Sequence, residues 1–165
     1  MNIKLEIINL NWNVIYQIPR AATLVKGRKE EYWKIMDAAK AVLETYGCYA
    51  WGNDKLIYYI GSYSRDYKNK NHQNNFQERL HNYLQNHRTK PNGRTNTNKM
   101  VFDKVIQQLA VEDIKIFRLR FEKIILNEHV LTFQEASNDS EIIKALEEML
   151  IAFYKKRGEA NWNRT

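Results

Sequence analysis

Two short aromatic tripeptides carry hydroxyl groups that could act at one chemical site. Gly47-Cys48-Tyr49 and Tyr59-Ile60-Gly61 each belong to a segment rich in aromatic and β-branched residues, a composition typical of strands. Gly52-Asn53-Asp54-Lys55 lies between them and is typical of a turn. We therefore predict a β-hairpin that brings the hydroxyls of Tyr49 and Tyr59 close together. The alternative is that both rings only pack across the sheet.

The chain is strongly basic, and part of its positive charge is concentrated in one stretch. Its net charge is +7 and its pI is about 9.4, which favours a polyanionic partner. Residues 79–102 contain no acidic side chain. Their basic residues are Arg79, Arg88, Lys90, Arg94 and Lys99. Such a cluster suits contacts with phosphates, although a flexible, solvated linker has the same composition.

A predicted helix over residues 76–87 carries the first charged candidate. At about 100° per residue, Arg79 lies beside Tyr83 and next to the apolar stripe, so it borders the core. A guanidinium in this position suits bidentate binding of a phosphate, and Tyr83 could bind the same phosphate or an attacking water. The alternative is an arginine that pairs with a carboxylate.

A predicted helix over residues 141–157 carries the carboxylate candidates. Glu147 lies on the flank of the apolar stripe, about 90° from its centre, whereas Glu148 lies nearly opposite the stripe. A ligand in a cleft needs the flank position, so Glu147 is the better candidate for an oxygen-preferring ion such as Mg²⁺ or Mn²⁺. The alternative for Glu147 is a surface ion pair with Lys144 or Arg157.

The order of these residues resembles the GIY-YIG nuclease superfamily, whose name describes the two tripeptides. The next motif of the family is an arginine followed four residues later by tyrosine or histidine. A glutamate on a late helix and an asparagine near the end complete the set, and the resemblance covers residues 46–163. The corresponding residues here are Arg79, Tyr83, Glu147 or Glu148, and Asn161 or Asn163.

The resemblance implies metal-dependent hydrolysis of DNA phosphodiester bonds. It implies Tyr49 as general base and Tyr59 as its hydrogen-bonding partner. A free tyrosine hydroxyl is a poor base, with a pKa of about 10, so a metal or another cation would have to lower that value.

Two positions depart from the pattern of the family. Cys48 replaces an aliphatic residue, which a strand position facing the core should tolerate. Ser62 follows the second tripeptide where repair-type relatives commonly carry a lysine. Lys68, Lys70 or His72 could supply the missing charge.

In its small size, the chain is most like a type II restriction endonuclease. Residues 88–99 would form the recognition loop for double-stranded DNA, because arginine and asparagine can read base edges. Its candidate contacts are Arg88, Lys90, Arg94, Asn96, Asn98 and Lys99. A palindromic site would imply a homodimer. The alternatives are a repair or mobile-element nuclease, or an inactive DNA-binding module.

The hydrophobic pattern predicts one α+β domain with a small, mostly antiparallel sheet flanked by helices. Residues 1–45 form an N-terminal extension packing on the core, and residues 46–165 form the catalytic domain. We predict helices over 29–45, 76–87, 100–110 and 141–157, and strands over 46–51, 56–61, 114–121 and 124–133. The segment through residue 17 is strand or helix, 62–75 and 88–99 are loops, and Ser140 caps the last helix.

Length and composition exclude several classes of protein. The 165 residues are 44% apolar, enough for one core, and no apolar run reaches the length of a membrane span. The N-terminus lacks the layout of a signal peptide. Cys48 is the single cysteine, which excludes an internal disulfide and a cysteine-based zinc cluster. We therefore expect a cytoplasmic protein without a membrane partner.

Overall fold

Two antiparallel sheets organise the computed structural model, which describes residues 4–24, 30–64, 75–85 and 97–164. The larger sheet has the order β2-β5-β3-β4 and the smaller has the order β1-β6-β7. The strands are β1 Leu5–Ile8, β2 Asn11–Ile18, β3 Tyr46–Gly52, β4 Ile57–Ser64, β5 Ile114–Arg120, β6 Lys123–Leu126 and β7 His129–Thr132. The helices are α1 Glu30–Lys40, α2 Asn75–Gln85, α3 Thr97–Leu109, α4 Phe133–Ala136 and α5 Ser140–Lys156. The predicted α+β class is therefore confirmed.

The larger sheet has an apolar layer on each of its faces. Because side chains alternate along a strand, β3 directs Tyr49 and Trp51 towards the helices α1, α2 and α3. It directs Cys48 and Ala50 towards α5 and the smaller sheet. Both layers are buried, so nearly all of β3 is inaccessible to solvent.

The predicted hairpin is confirmed as β3 and β4, which pair in antiparallel register. Its turn depends on Asn53, whose side-chain oxygen accepts hydrogen bonds from the backbone N–H groups of Lys55 and Leu56, both at 2.8 Å. An asparagine often closes a turn in this way. The predicted loop over 62–75 starts later than expected, because β4 continues to Ser64.

The predicted strand 114–121 is present as β5, but the predicted single strand 124–133 is wrong. This segment forms the hairpin β6–β7 and then the short helix α4. Asn127 and Glu128 both have positive φ values, 48° and 72°, as a tight two-residue turn of this kind requires. The segment through residue 17 is β1 and most of β2, and β2 pairs with β5.

The boundaries of three predicted helices need correction. The helix predicted over 29–45 ends at Lys40, and Glu44, which lies beyond its end, pairs with Arg118 Nη1 at 2.8 Å. The loop predicted over 88–99 ends earlier than expected, because α3 begins at Thr97. The helix predicted from residue 141 is α5, but Asp139 caps it instead of Ser140.

The described helices include none that is both long and apolar enough to cross a membrane.

Replacing Asp139 should weaken α5, whereas replacing Ser140 should not. The Asp139 side chain accepts hydrogen bonds from the N–H groups of Glu141 and Ile142 at 2.9 and 3.1 Å. We expect Asp139→Ala to lower the free energy of unfolding by about 1 kcal/mol, the usual cost of losing an N-cap. Urea denaturation of Asp139→Ala and of the matched control Ser140→Ala measures the difference. A larger loss in Ser140→Ala would contradict the assignment of the cap.

Candidate active site

The hairpin places the Tyr49 ring across a glycine of the neighbouring strand. Tyr49 on β3 lies opposite Gly61 on β4, and Gly47 lies opposite Tyr63 in the same register. A Cβ atom at Gly61 would overlap the hydroxyl end of the Tyr49 ring. The glycine at the end of the second tripeptide therefore provides the space in which the tyrosine of the first one lies.

Three tyrosine hydroxyls meet on this face of the sheet. Tyr83 comes from α2, and its hydroxyl lies 2.5 Å from that of Tyr49 and donates to that of Tyr59 at 3.0 Å. Tyr49 and Tyr83 are at most 1% exposed, and Tyr59 is 5% exposed. The structure thus brings together the two hairpin tyrosines and the helix tyrosine, and Tyr59 is the least buried of the three.

Burial keeps the hydroxyls of Tyr49 and Tyr59 protonated. It raises the pKa of Tyr49 well above the ordinary value, and the neighbouring hydroxyls of Tyr83 and Tyr59 raise it further, while Arg79 opposes the rise. The pKa of Tyr59 is raised in the same way, by burial first and by Tyr83 second. Neither hydroxyl can therefore act as a base near neutral pH unless a further cation approaches it.

Arg79 lies at the solvent side of the tyrosine cluster. Its side chain is exposed, its Cζ atom lies 5.8 Å from the centre of the Tyr83 ring, and its positive charge opposes the rise in the pKa of Tyr49. Burial alone would lower the pKa of Arg79, but the Tyr49 and Tyr83 hydroxyls raise it above the ordinary value. The guanidinium is therefore a permanent positive charge at the edge of the site.

Glu147 lies on α5, which packs on the face of the sheet opposite the tyrosine cluster. It is half-buried, whereas Glu148 is exposed. The Ser62 hydroxyl donates a hydrogen bond to Glu147 Oε2. Burial raises the pKa of the Glu147 carboxyl, and the Ser62 hydrogen bond and the Arg79 charge both oppose that rise.

The two ion pairs considered for Glu147 are not its principal contacts. Arg157 pairs with Glu159 instead, at 3.3 Å. Lys144 affects Glu147 only as a nearby charge, less strongly than Arg79 does. The main partners of Glu147 are therefore Ser62, through a hydrogen bond, and Arg79, through its charge.

The two asparagine candidates have different environments. Asn163 Oδ1 accepts a hydrogen bond from the Ile60 N–H at 2.9 Å, and Asn163 Nδ2 donates to the Ile60 carbonyl at 2.7 Å. Asn161 is exposed and donates only to the nearby Gly158 carbonyl, at 3.0 Å. Asn163 therefore holds the centre of the second tripeptide in place, and Asn161 does not contact it.

Most of the predicted DNA contacts lie outside the described residues. These are Arg88, Lys90, Arg94 and Asn96. The three side chains that could supply the missing lysine charge, Lys68, Lys70 and His72, also lie outside the described residues. Asn98 and Lys99 are described, and both belong to the first turn of α3. Lys99 forms an ion pair with Asp103 at 2.6 Å.

The donor groups fit a cation that takes only one ligand from the protein. Among the described residues there is no group of three His, Cys, Asp or Glu side chains that could hold a metal ion. Glu147 supplies one half-buried carboxylate, which suits Mg²⁺ or Mn²⁺ when waters and phosphate oxygens provide the other ligands.

Sequence reasoning noted Ser62 only as a departure from the pattern and missed its contact with Glu147. The alternation of β4 contains the signal for it. Tyr59 and Gly61 face the tyrosine cluster, so Ser62 must face α5.

No protein-family model, curated protein or solved structure matches this chain.

Asn163→Ala should destabilise the fold more than Asn161→Ala does. The first change removes two hydrogen bonds and leaves the buried N–H and carbonyl of Ile60 without partners, which costs about 2 kcal/mol at about 1 kcal/mol for each bond. The second change removes one bond at the surface. Urea denaturation of the two variants measures both effects, and equal stabilities would show that Asn163 does not hold β4.

Stability should fall as the pH rises above about 10. The pKa of folded Tyr49 lies well above that of the unfolded chain, which is about 10. The contribution of Tyr49 is therefore fully present below that pH and is lost above it. We expect the free energy of unfolding to decline less steeply with pH in Tyr49→Phe, as measured by urea denaturation at a series of alkaline pH values. Identical slopes in the variant and the parent chain would contradict a raised pKa.

Proposed function

We propose that this chain is a divalent-metal-dependent endonuclease that hydrolyses phosphodiester bonds of double-stranded DNA. One observation carries the proposal. A hydrogen-bonded series, Tyr49–Tyr83–Tyr59, lies beside Arg79, and the charge of Arg79 acts on the half-buried carboxylate of Glu147. A permanent cation, several hydroxyls and one carboxylate are the groups that phosphodiester hydrolysis needs.

Each of these side chains has a role that follows from its position. Arg79 is exposed and charged, so it can bind a phosphate oxygen as negative charge develops there. Tyr83 joins Tyr49 and Tyr59 through its hydroxyl and fixes their geometry. Glu147 would hold Mg²⁺ or Mn²⁺, which lowers the pKa of a bound water and of nearby hydroxyls.

The general base belongs to the tyrosine cluster. Tyr49 is the residue implied by the resemblance to the GIY-YIG nucleases, but it is fully buried. Tyr59 lies at the other end of the hydrogen-bonded series and is the least buried of the three rings. If a bound cation lowered the pKa of Tyr59 enough for its hydroxyl to lose a proton, the resulting tyrosinate could accept a proton from water. Hydrogen bonds through Tyr83 would share the negative charge of the tyrosinate with Tyr49, so we assign the base function to this connected group.

A type II restriction endonuclease is the subtype that we propose. The net charge of +7 supports a DNA partner, and the stretch 88–99 supplies groups suited to reading bases. A homodimer would match a palindromic site, and the buried free thiol of Cys48 is consistent with a reducing cytoplasm.

Glu147→Gln should abolish metal-dependent cutting, whereas Glu148→Gln should retain it. The amide of glutamine is a poor ligand for Mg²⁺, and loss of the single protein carboxylate should reduce cleavage at least about 100-fold, since even outer-shell changes reduce metal affinity or activity by about 10- to 100-fold. Plasmid and viral DNA are incubated with the purified chain, with Mg²⁺ or with chelator, and the fragments are resolved by electrophoresis. Discrete fragments that require Mg²⁺ are expected from the parent chain and from Glu148→Gln.

Other outcomes of this experiment would change the proposed function or the proposed metal ligand. Nicking or a smear of fragments would favour a repair or mobile-element nuclease. DNA binding that weakens steeply with salt, with no cutting under any metal, would leave a DNA-binding module and would overturn the proposed activity. Full cutting by Glu147→Gln would show that Glu147 is not the metal ligand.

A further inference from the structure

Ser62 and Cys48 form a cross-strand pair that faces one side of α5. The two residues lie opposite each other in the register of β3 and β4. The Cys48 thiol lies 3.7 Å from the carbonyl oxygen of Ile143, and the Ser62 hydroxyl donates to Glu147. Ile143 and Glu147 are four residues apart, which places them on the same face of the helix. The hairpin therefore contacts α5 at two successive turns.

The contact with Ser62 restricts a side chain that would otherwise be free to rotate. Glutamate has three rotatable bonds, and its fixing costs conformational entropy. Ser62 lies within the regular part of β4, and Glu147 lies in the middle of α5, so both ends of the hydrogen bond are anchored. The bond uses Oε2 of the carboxylate, which leaves Oε1 as the position for a further ligand.

We infer that Ser62 is a positioning residue that holds the Glu147 carboxylate in the orientation needed to bind a divalent cation. This inference rests on the proposed function, because it assigns Ser62 a role at the same site. A hydroxyl orients the carboxylate without adding positive charge, so it does not repel the cation. Partners of this kind around a metal ligand affect metal affinity strongly.

Arg79 and Ser62 have different tasks at the site. Arg79 is placed to bind phosphate, whereas Ser62 orients the carboxylate that binds the cation. The guanidinium is exposed and lies 5.8 Å from the centre of the Tyr83 ring, so it is directed at the tyrosine cluster and its solvent side. It acts on Glu147 through its charge. Among the described residues, Ser62 alone provides a directional hydrogen bond to the carboxylate. Loss of the Ser62 hydroxyl should therefore change the binding of the cation more than the binding of phosphate.

The test measures Mn²⁺ binding to the full chain without DNA, by electron paramagnetic resonance of the free ion. We expect Ser62→Ala to weaken Mn²⁺ binding about 10- to 100-fold. Ser62→Thr keeps the hydroxyl and suits a strand, so it should bind Mn²⁺ within a few-fold of the parent chain. Ser64→Ala is the matched control, since Ser64 is an exposed serine on the same strand and should bind like the parent chain.

Cleavage of plasmid DNA at a series of Mg²⁺ concentrations provides the second measurement. Ser62→Ala should need more Mg²⁺ for half-maximal cleavage but should approach the parent rate at saturation. Thermal unfolding of each variant shows whether the fold is retained. If Ser62→Ala is folded and binds Mn²⁺ like the parent chain, or if the parent chain binds no Mn²⁺, the inference is overturned.

The two proposals fail in different ways. A parent chain that cuts no DNA but binds Mn²⁺ in a manner that depends on the Ser62 hydroxyl would overturn the proposed activity and support the positioning role. A parent chain that cuts DNA equally well with and without that hydroxyl, at every Mg²⁺ concentration, would overturn only the positioning role.

Discussion

The close approach of the Tyr49 ring to the backbone of Gly61 is the constraint on which the site depends. The ring occupies the space of a missing side chain on β4, and the Tyr83 ring of α2 packs against it with 6.2 Å between the ring centres. Only then can Tyr83 reach both hairpin tyrosines with one hydroxyl. A larger residue at position 61 would displace the Tyr49 ring. The helix α2, which carries Arg79, would then lose its packing contact with that ring. Hydrogen bonding within the cluster is thus a consequence of steric fit between two neighbouring strands.

The site also depends on a segment that holds the hairpin along the outer edge of β4. Asn163 binds both backbone groups of Ile60, and the Ala160 and Trp162 N–H groups donate to the carbonyls of Ile57 and Tyr58 at 2.7 and 2.9 Å. Residues 160–163 therefore cover the outer edge of β4. An uncovered edge strand could pair with a strand of another chain. The Tyr58 ring stacks on Trp162, with 4.9 Å between their centres, which adds an apolar contact to these polar ones.

Local patterns in the sequence predicted the parts of this fold that depend on neighbouring residues. The hairpin and β5 followed from strand composition and alternation, and the periodicity of the last helix favoured Glu147 over Glu148. Contacts between distant residues could not be predicted in the same way. Nothing near Asn163 indicates that it binds Ile60, and the choice between Asp139 and Ser140 as helix cap depends on backbone angles that composition does not determine. The assignment of DNA hydrolysis remains a proposal, because the fold alone does not specify a reaction.

The pairing of Asn163 with Ile60 spans 103 residues of sequence, and this has a consequence for biosynthesis. A nascent chain can form the β3–β4 hairpin early, but the outer edge of β4 has no partner until the segment around residues 159–163 has emerged from the ribosome. Contacts between such distant residues form late, since the entropy of closing a long loop opposes them. A product of interrupted translation that lacks this segment would carry both tyrosine motifs without the restraint that fixes the second one. Emergence of residues 159–163 would therefore control when the site is first assembled in its final geometry.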